Sequence, residues 1–392
     1  MKISHSRRAF ASSTMLGFGL SCLGFDAGAQ GQESVKIGVL LSLSGAAATF
    51  GIPERDMVKV LAEKYNAEGG FRGRKLELVF HDDQTNPTES ARGATKLIQQ
   101  DKVVVIIGPT IGSAALAVLP IAARAQVPVL TPVGTISVTA KENSFFPWVF
   151  RTCPNDELLV TASMETAVLK AGYKRLAVMY QEDAYGKNSA AFAEKFAKEH
   201  GIEIVSLASA PAAAVDLSAT ATRIRAANPD SVLLWTSTPA MGAAFVRAAR
   251  QVGLNVPIIG SGALVQRSFI ETAGSAAENV TILAFANWDD PSPKLKKLGA
   301  LLRTNGKTPS GFGELLTATG MAALTAALAK VEGPVTGARI RDALEKVCGI
   351  DNPYVDGKFC YSADSHEGFG SDALQAVTVR DGKFRSIAPN PK

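Results

Sequence analysis

The chain has 392 residues, 46% of them apolar and 20% charged, with a formal net charge of +5. That length suits about two domains, and the composition excludes a low-complexity chain. The modest charge, without any basic run interleaved with aromatics, excludes a nucleic-acid-binding surface.

Residues 1–29 read as an export signal. Arg7-Arg8 form the basic region, Met15 to Leu23 a short apolar core, and Ala27-Gly28-Ala29 a small-x-small cleavage site. Ser6-Arg7-Arg8-Ala9-Phe10 has the look of a twin-arginine signal, with Ala11 where a larger residue is usual, so both that route and the general secretory one stay open. Removing Lys2, Arg7, Arg8 and Asp26 leaves a charge of +3. No later stretch reaches ~18 uninterrupted apolar residues, so a soluble mature chain is expected. Cys348 and Cys360 can close a short loop in an oxidising compartment, although spacing sets no distance between their sulfurs. Cys153 reads as a small buried apolar residue.

In chain order, Val35–Leu41 is an apolar strand, and a helix follows from about Pro53 with Met57, Leu61 and Tyr65 at helical spacing. Leu76, Leu78 and Phe80 alternate as a strand ending in Asp82-Asp83, whose carboxylates read as strand-end and capping chemistry. Thr88 then caps a second helix. Val103–Ile107 has the length and β-branching of a buried strand. A Gly-Pro turn leads to Ser113 at the mouth of an Ala/Leu-rich helix, with Ser113 itself a plausible N-cap and Pro120 marking a kink or restart. Val127–Leu130 is the next strand and ends in a loop from Thr131 to Thr135. Two parallel strands joined by a helix bring both loops to one sheet edge, where ligands of open α/β sheets dock. Backbone N–H groups at the helix start and a hydroxyl in the second loop suit a carboxylate.

The rhythm restarts after Cys153-Pro154-Asn155-Asp156. Strands at Arg175–Tyr180, Ile202–Leu207, Ser231–Trp235, Val256–Ile259 and Val280–Phe285 alternate with helices. Helices at Lys294–Asn305, Leu315–Lys330 and Gly337–Val347 precede a hairpin turning at Asp381-Gly382. The repetition predicts an α/β fold with two doubly wound parallel-sheet lobes.

Dense local text then carries a resemblance: LSLSGAAATFG, YNAEGGFRGRKLELVFHDDQTNP, IIGPTIGSA, VPVLTP, VFRTCPND and EDAYGKN. The chain resembles type I periplasmic solute-binding proteins, the branched-chain amino-acid (leucine/isoleucine/valine-binding) family of ABC importers. That resemblance implies a periplasmic location and two lobes joined by a three-crossover hinge that close on a ligand. Its crossovers are expected near Thr152–Asn155, Ala284–Asn287 and Tyr361–Ser365. Lobe 1 would be residues 30–153 plus 286–362, and lobe 2 residues 154–285 plus 363–392. The implied partners are a small-molecule carboxylate and the ABC permease subunits with their ATPases; a monomer without a cofactor or a metal is expected.

By the same resemblance, Ile111, Gly112 and Ser113 with Val133 and Thr135 would hold the carboxylate, and Phe50 and Tyr185 would cover the ligand from either lobe. The family usually has a hydroxyl where Gly112 stands. Amino-acid binders place an acidic residue where this chain has Gly262, and an aromatic where it has Ser237. An ammonium buried without an anion costs several kcal/mol, roughly. An aromatic or aliphatic acid lacking the α-amine therefore fits better, unless Asp183 or Glu182 supplies the charge. The alternatives are a ligand sensor of the same fold and, more remotely, an enzyme. No Gly-x-Ser-x-Gly, HExxH or Cys/His cluster supports the latter, and Leu301 replaces the first glycine of a phosphate loop ending at Asn305-Gly306-Lys307-Thr308.

Overall fold

The computed structural model describes residues 33–351 and 358–387. The expected export signal, residues 1–29, lies outside the described residues. The chain begins with β1 (Val35–Leu41), α1 (Ala48–Ala67), β2 (Leu76–Asp82), α2 (Pro87–Gln99), β3 (Val105–Ile107), α3 (Gly112–Arg124), β4 (Val129–Thr131) and β5 (Val149–Arg151). These five strands pair in the order β2-β1-β3-β4-β5, all parallel. Apart from β2, where Leu78, Val79 and Phe80 are half-buried, their apolar side chains are buried, which explains runs such as Val105–Ile107 that do not alternate.

A second series follows: α4 (Asp156–Ser163), β6 (Arg175–Gln181), α5 (Ala184–His200), β7 (Glu203–Ala210), α6 (Ser218–Ala226), β8 (Ser231–Trp235), α7 (Pro239–Gln251), β9 (Ile258–Gly260), α8 (Arg267–Ala273) and β10 (Thr281–Ala284). The remainder is α9 (Pro293–Thr304), α10 (Gly313–Leu328), α11 (Gly337–Leu344), β11 (Cys348–Asp351), β12 (Lys358–Ser362), β13 (Ser365–Gly368), β14 (Gln375–Arg380) and β15 (Lys383–Ser386). The second sheet runs β15-β14-β10-β9-β8-β6-β7. It is parallel from β7 to β10, and the terminal hairpin adds an antiparallel edge. A small antiparallel sheet, β11-β12-β13, shares no strand pairing with either, and in it Cys348 and Cys360 are cross-strand partners joined by a disulfide. Cys153 is buried as a free thiol.

Several local expectations are corrected. α1 begins at Ala48, not near Pro53, because Thr85 accepts the Ala47 N–H (3.0 Å) and the first turn buries Phe50. The N-cap of α2 is Asn86, not Thr88; its side chain accepts from the Thr88 N–H at 2.8 Å while Pro87 takes the first helical position. α3 runs unbroken through Pro120, held by buried Ala115, Val118, Leu119 and Ala122. Its N-cap is Ile111, so Ser113 sits inside the helix and does not cap it. Tyr361–Ser365 forms the β12–β13 turn, and the chain reaches the second sheet only after Gly368. That delay matters, because β13 brings Glu367 against Arg151 at the end of β5 (2.9 Å). Asp82 and Asp83 cap the loop before α1: Asp82 accepts from the Leu43 and Ser44 N–H groups, and Asp83 accepts from the Ser42 hydroxyl.

Candidate ligand-binding cleft

The C-terminal ends of parallel strands from both sheets face a common cleft, as the geometry of open α/β sheets requires. It holds about 490 Å³ of empty space, the part open to solvent included. From the first sheet, the loop after β3 contributes Thr110, Ile111 and Gly112, and the loop after β4 contributes Pro132 to Thr135. Phe50 comes from the first turn of α1. From the second sheet come Tyr185 on α5, Ser237 after β8 and Ala263 after β9.

Gly112 and Thr135 form one unit. A Cβ on residue 112 would overlap the Thr135 hydroxyl, so the glycine lets that hydroxyl sit over the first turn of α3. The first amides of a helix have no carbonyl partner within it. The Thr135 Oγ1 is buried and has no hydrogen-bond partner among the described residues. A free hydroxyl and unpaired backbone donors thus converge at a helix N-terminus, an arrangement that attracts an anion.

The loop bearing Thr135 is fixed from behind by Arg151, which is fully buried. Its guanidinium donates to the carbonyls of Val133 and Thr135 (2.9 Å to the latter) and to the Thr139 hydroxyl (2.5 Å). Its Nε bonds Glu367 at 2.9 Å, and Asn155 Nδ2 donates to the same carboxylate at 2.7 Å. Burial pushes the Glu367 carboxyl up, but Arg151 and the donors from Thr139 and Asn155 outweigh it and hold it below its ordinary range. Arg151 had not been singled out from sequence. Its only signal there was a lone arginine ending an apolar strand, and its partner is 216 positions away.

The second sheet's polar groups are already engaged. The Ser237 hydroxyl donates to Asp183 and accepts from Gln181 Nε2. Asp183 also caps α5 through the Gly186 N–H at 2.8 Å. Burial raises its carboxyl despite these donors. Glu182 is exposed and accepts from the Ser209 hydroxyl at 2.9 Å. Neither acid is among the residues that line the cleft.

Two expected residues do not line the cleft. Ser113 is half-buried behind Gly112, and Gly262 stands one residue from the wall formed by Ala263. A Cβ at 262 would meet the Leu283 carbonyl oxygen at 3.4 Å, Phe312 at 3.7 Å and Leu159 at 3.9 Å, which is ordinary contact. Phe312 just before α10 and Leu316 on it, with Cys153, Pro154 and Leu159, complete the wall; the sequence alone assigns none of them to it. Among the described residues, no lining side chain carries a charge. The Cys153 thiol, pushed up to about 12 chiefly by burial, is neutral. No group of His, Cys, Asp and Glu suited to a metal occurs among the described residues, and no helix there is long and apolar enough to cross a membrane.

The family model for Periplasmic binding protein matches residues 34–383. The Leu/Ile/Val-binding protein of Escherichia coli (strain K12) is 25% identical over 303 residues, covering 77% of this chain and 81% of that protein. An extracellular ligand-binding receptor from Rhodopseudomonas palustris HaA2 superposes with a TM-score of 0.81 at 26% identity, over 90% of this chain and 99% of that one. An ABC-transporter solute binding protein from R. palustris, in complex with benzoate, gives 0.77 at 21% identity, over 90% of this chain and 95% of that one, a likeness of fold. With that match spanning both sheets, and with the type I fold of these neighbours, the chain belongs to the periplasmic binding protein family.

Proposed function

We propose that this chain is the exported solute-binding component of an ABC importer, and that it captures a small carboxylic acid lacking an α-amine. The observation that carries the reading is the asymmetry of the cleft: an anion site at the α3 N-terminus and Thr135, and no charged lining residue elsewhere. The acid group would accept from the α3 amides and the Thr135 hydroxyl, while Phe50, Leu159, Tyr185, Phe312 and Leu316 enclose an apolar body. An amino acid would bring an ammonium into this wall without an anion, at a cost of several kcal/mol, roughly. The E. coli relative binds leucine, isoleucine and valine by its name, and the benzoate complex is an amine-free acid on the same fold. The uncharged lining of the cleft sides with the second.

Ligand contacts from both sheets would favour the closed arrangement of two lobes, which a membrane permease would read while its ATPases supply the energy. The chain itself would act as a carrier without catalysing a reaction. The test is a thermal-shift and calorimetric comparison of matched pairs: phenylalanine with phenylacetate, and leucine with 4-methylpentanoate. A ligand of the folded state raises stability by mass action. The amine-free partner of each pair should give the larger shift; stronger stabilisation by the amino acids would overturn the reading.

A further inference from the structure

We propose that the cleft takes up its carboxylate together with protons carried by Asp156 and Glu54, so that binding weakens as the pH rises. The inference rests on the carboxylate reading above and adds two groups that the site description does not use. Each acid accepts a hydrogen bond from a residue next to the anion site, Asp156 from the Ile136 N–H beside Thr135 and Glu54 from the Thr110 hydroxyl beside Ile111.

Asp156 lies directly behind the loop that carries Thr135. Its Oδ1 accepts from the N–H groups of Ile136 and Glu157, both at 3.0 Å, and its own N–H donates to the Gly134 carbonyl at 2.7 Å. Its Oδ2 is buried without a hydrogen-bond partner among the described residues. The cation facing it, Arg151 on β5, is committed to Glu367, Val133, Thr135 and Thr139. The other titratable groups facing it are Glu367 on β13, the neutral Cys153 thiol, and Tyr185 on α5. Burial of a carboxylate oxygen without a donor disfavours the ionised form.

Glu54 lies on α1 and is fully buried. Its Oε2 accepts from the Thr110 hydroxyl at 2.8 Å, and Thr110 both lines the cleft and precedes Ile111. Its Oε1 has no partner among the described residues. The charged group facing it is Asp83 at the end of β2, while α10 presents the neutral Thr317, bonded to the Glu54 carbonyl at 3.3 Å. Burial, as the largest cause, pushes the Asp156 carboxyl up to about 7 and that of Glu54 up to about 8.

A bound carboxylate would raise both further, because two anions in a low-dielectric site repel. The sign follows: protonated Asp156 and Glu54 favour the anion, and their ionisation opposes it. A free carboxylic acid, with a pKa of about 4, stays ionised throughout, so any proton taken up comes to the protein.

The test is titration calorimetry between about pH 6 and pH 9, in two buffers of different ionisation enthalpy. The probe is whichever of benzoate, phenylacetate and 4-methylpentanoate gives the largest thermal shift at the acidic end. The dissociation constant should rise ~10-fold or more across that range, with net proton uptake near neutrality. Asp156→Asn combined with Glu54→Gln should abolish the uptake and flatten the profile. If the double variant lacks a cooperative melt, each single variant should remove part of the uptake. Binding with a flat profile and no uptake in the unaltered protein would overturn this inference and leave the carboxylate reading standing. No shift from any of the three acids would overturn both.

Discussion

At the first sheet's end of the cleft, polar groups are held in place and left unsatisfied; at the second sheet's end they are held in place and already satisfied. The Thr135 hydroxyl is buried without a partner over the start of α3, with Arg151 fixing its loop from behind. The Ser237 hydroxyl, equally close to the cleft, is spent between Asp183 and Gln181, and Gly262 offers no side chain at all. A buried polar atom without a partner costs free energy until something pairs with it. The first end is therefore built to gain from an anion, and the second mainly contributes shape. On the proposed function, affinity for an acid group and choice of the rest of the ligand would come from different sheets.

The contrast can be broken most severely at Arg151. Arg151→Met leaves the half-buried Glu367 carboxylate and the loop carbonyls of Val133 and Thr135 without their donor, and a loss of about 3–5 kcal/mol in unfolding free energy is expected. Urea denaturation measures it, and a loss below about 1 kcal/mol would show that the loop is held by something else. Thr135→Val removes the free hydroxyl at nearly constant volume. Binding of the acid probe should weaken by about 1–3 kcal/mol in calorimetry, with little change in melting temperature, because no protein group loses its partner. Equal losses in binding and stability would mean that the hydroxyl is structural.

Gly262→Glu sharpens the comparison from the other side. A Cβ at this position makes only ordinary contacts, with the Leu283 carbonyl, Phe312 and Leu159, the last two of which line the cleft. The preference for phenylacetate over phenylalanine should shift by about tenfold or more toward the amino acid, which corresponds to about 1.4 kcal/mol; an unchanged ratio would place the ammonium elsewhere. Ser237→Ala should have the smallest effect on the ligand. It deprives Asp183 of a donor, so a loss of about 0.5–1.5 kcal/mol is expected in stability, with affinity nearly unchanged.

Much of the architecture was legible in the chain. Apolar runs such as Val35–Leu41 and Ser231–Trp235, punctuated by helices, dictate parallel strands buried on both faces. The Asp381-Gly382 turn announces the hairpin that closes the second sheet. Local boundaries were less secure. Ile111 takes the cap position from Ser113, and α3 continues through Pro120, because tertiary packing of its buried face outweighs the preference of single residues.

The sequence by itself determined the fold and the loops that meet at the cleft, since both follow from hydrophobic period and from turn residues close together in the chain. It also placed a glycine at 262, where related amino-acid binders are expected to carry an acid. Only the tertiary structure decided which polar atoms in those loops are free. Thr135 is free because Gly112 makes room for it, and Ser237 is not because Gln181 and Asp183 claim it. The clamp of Arg151 on Glu367 and the half-satisfied carboxyls of Asp156 and Glu54 were invisible for the same reason. Whether a buried polar atom has a partner depends on residues far away in sequence, and no local pattern records that pairing.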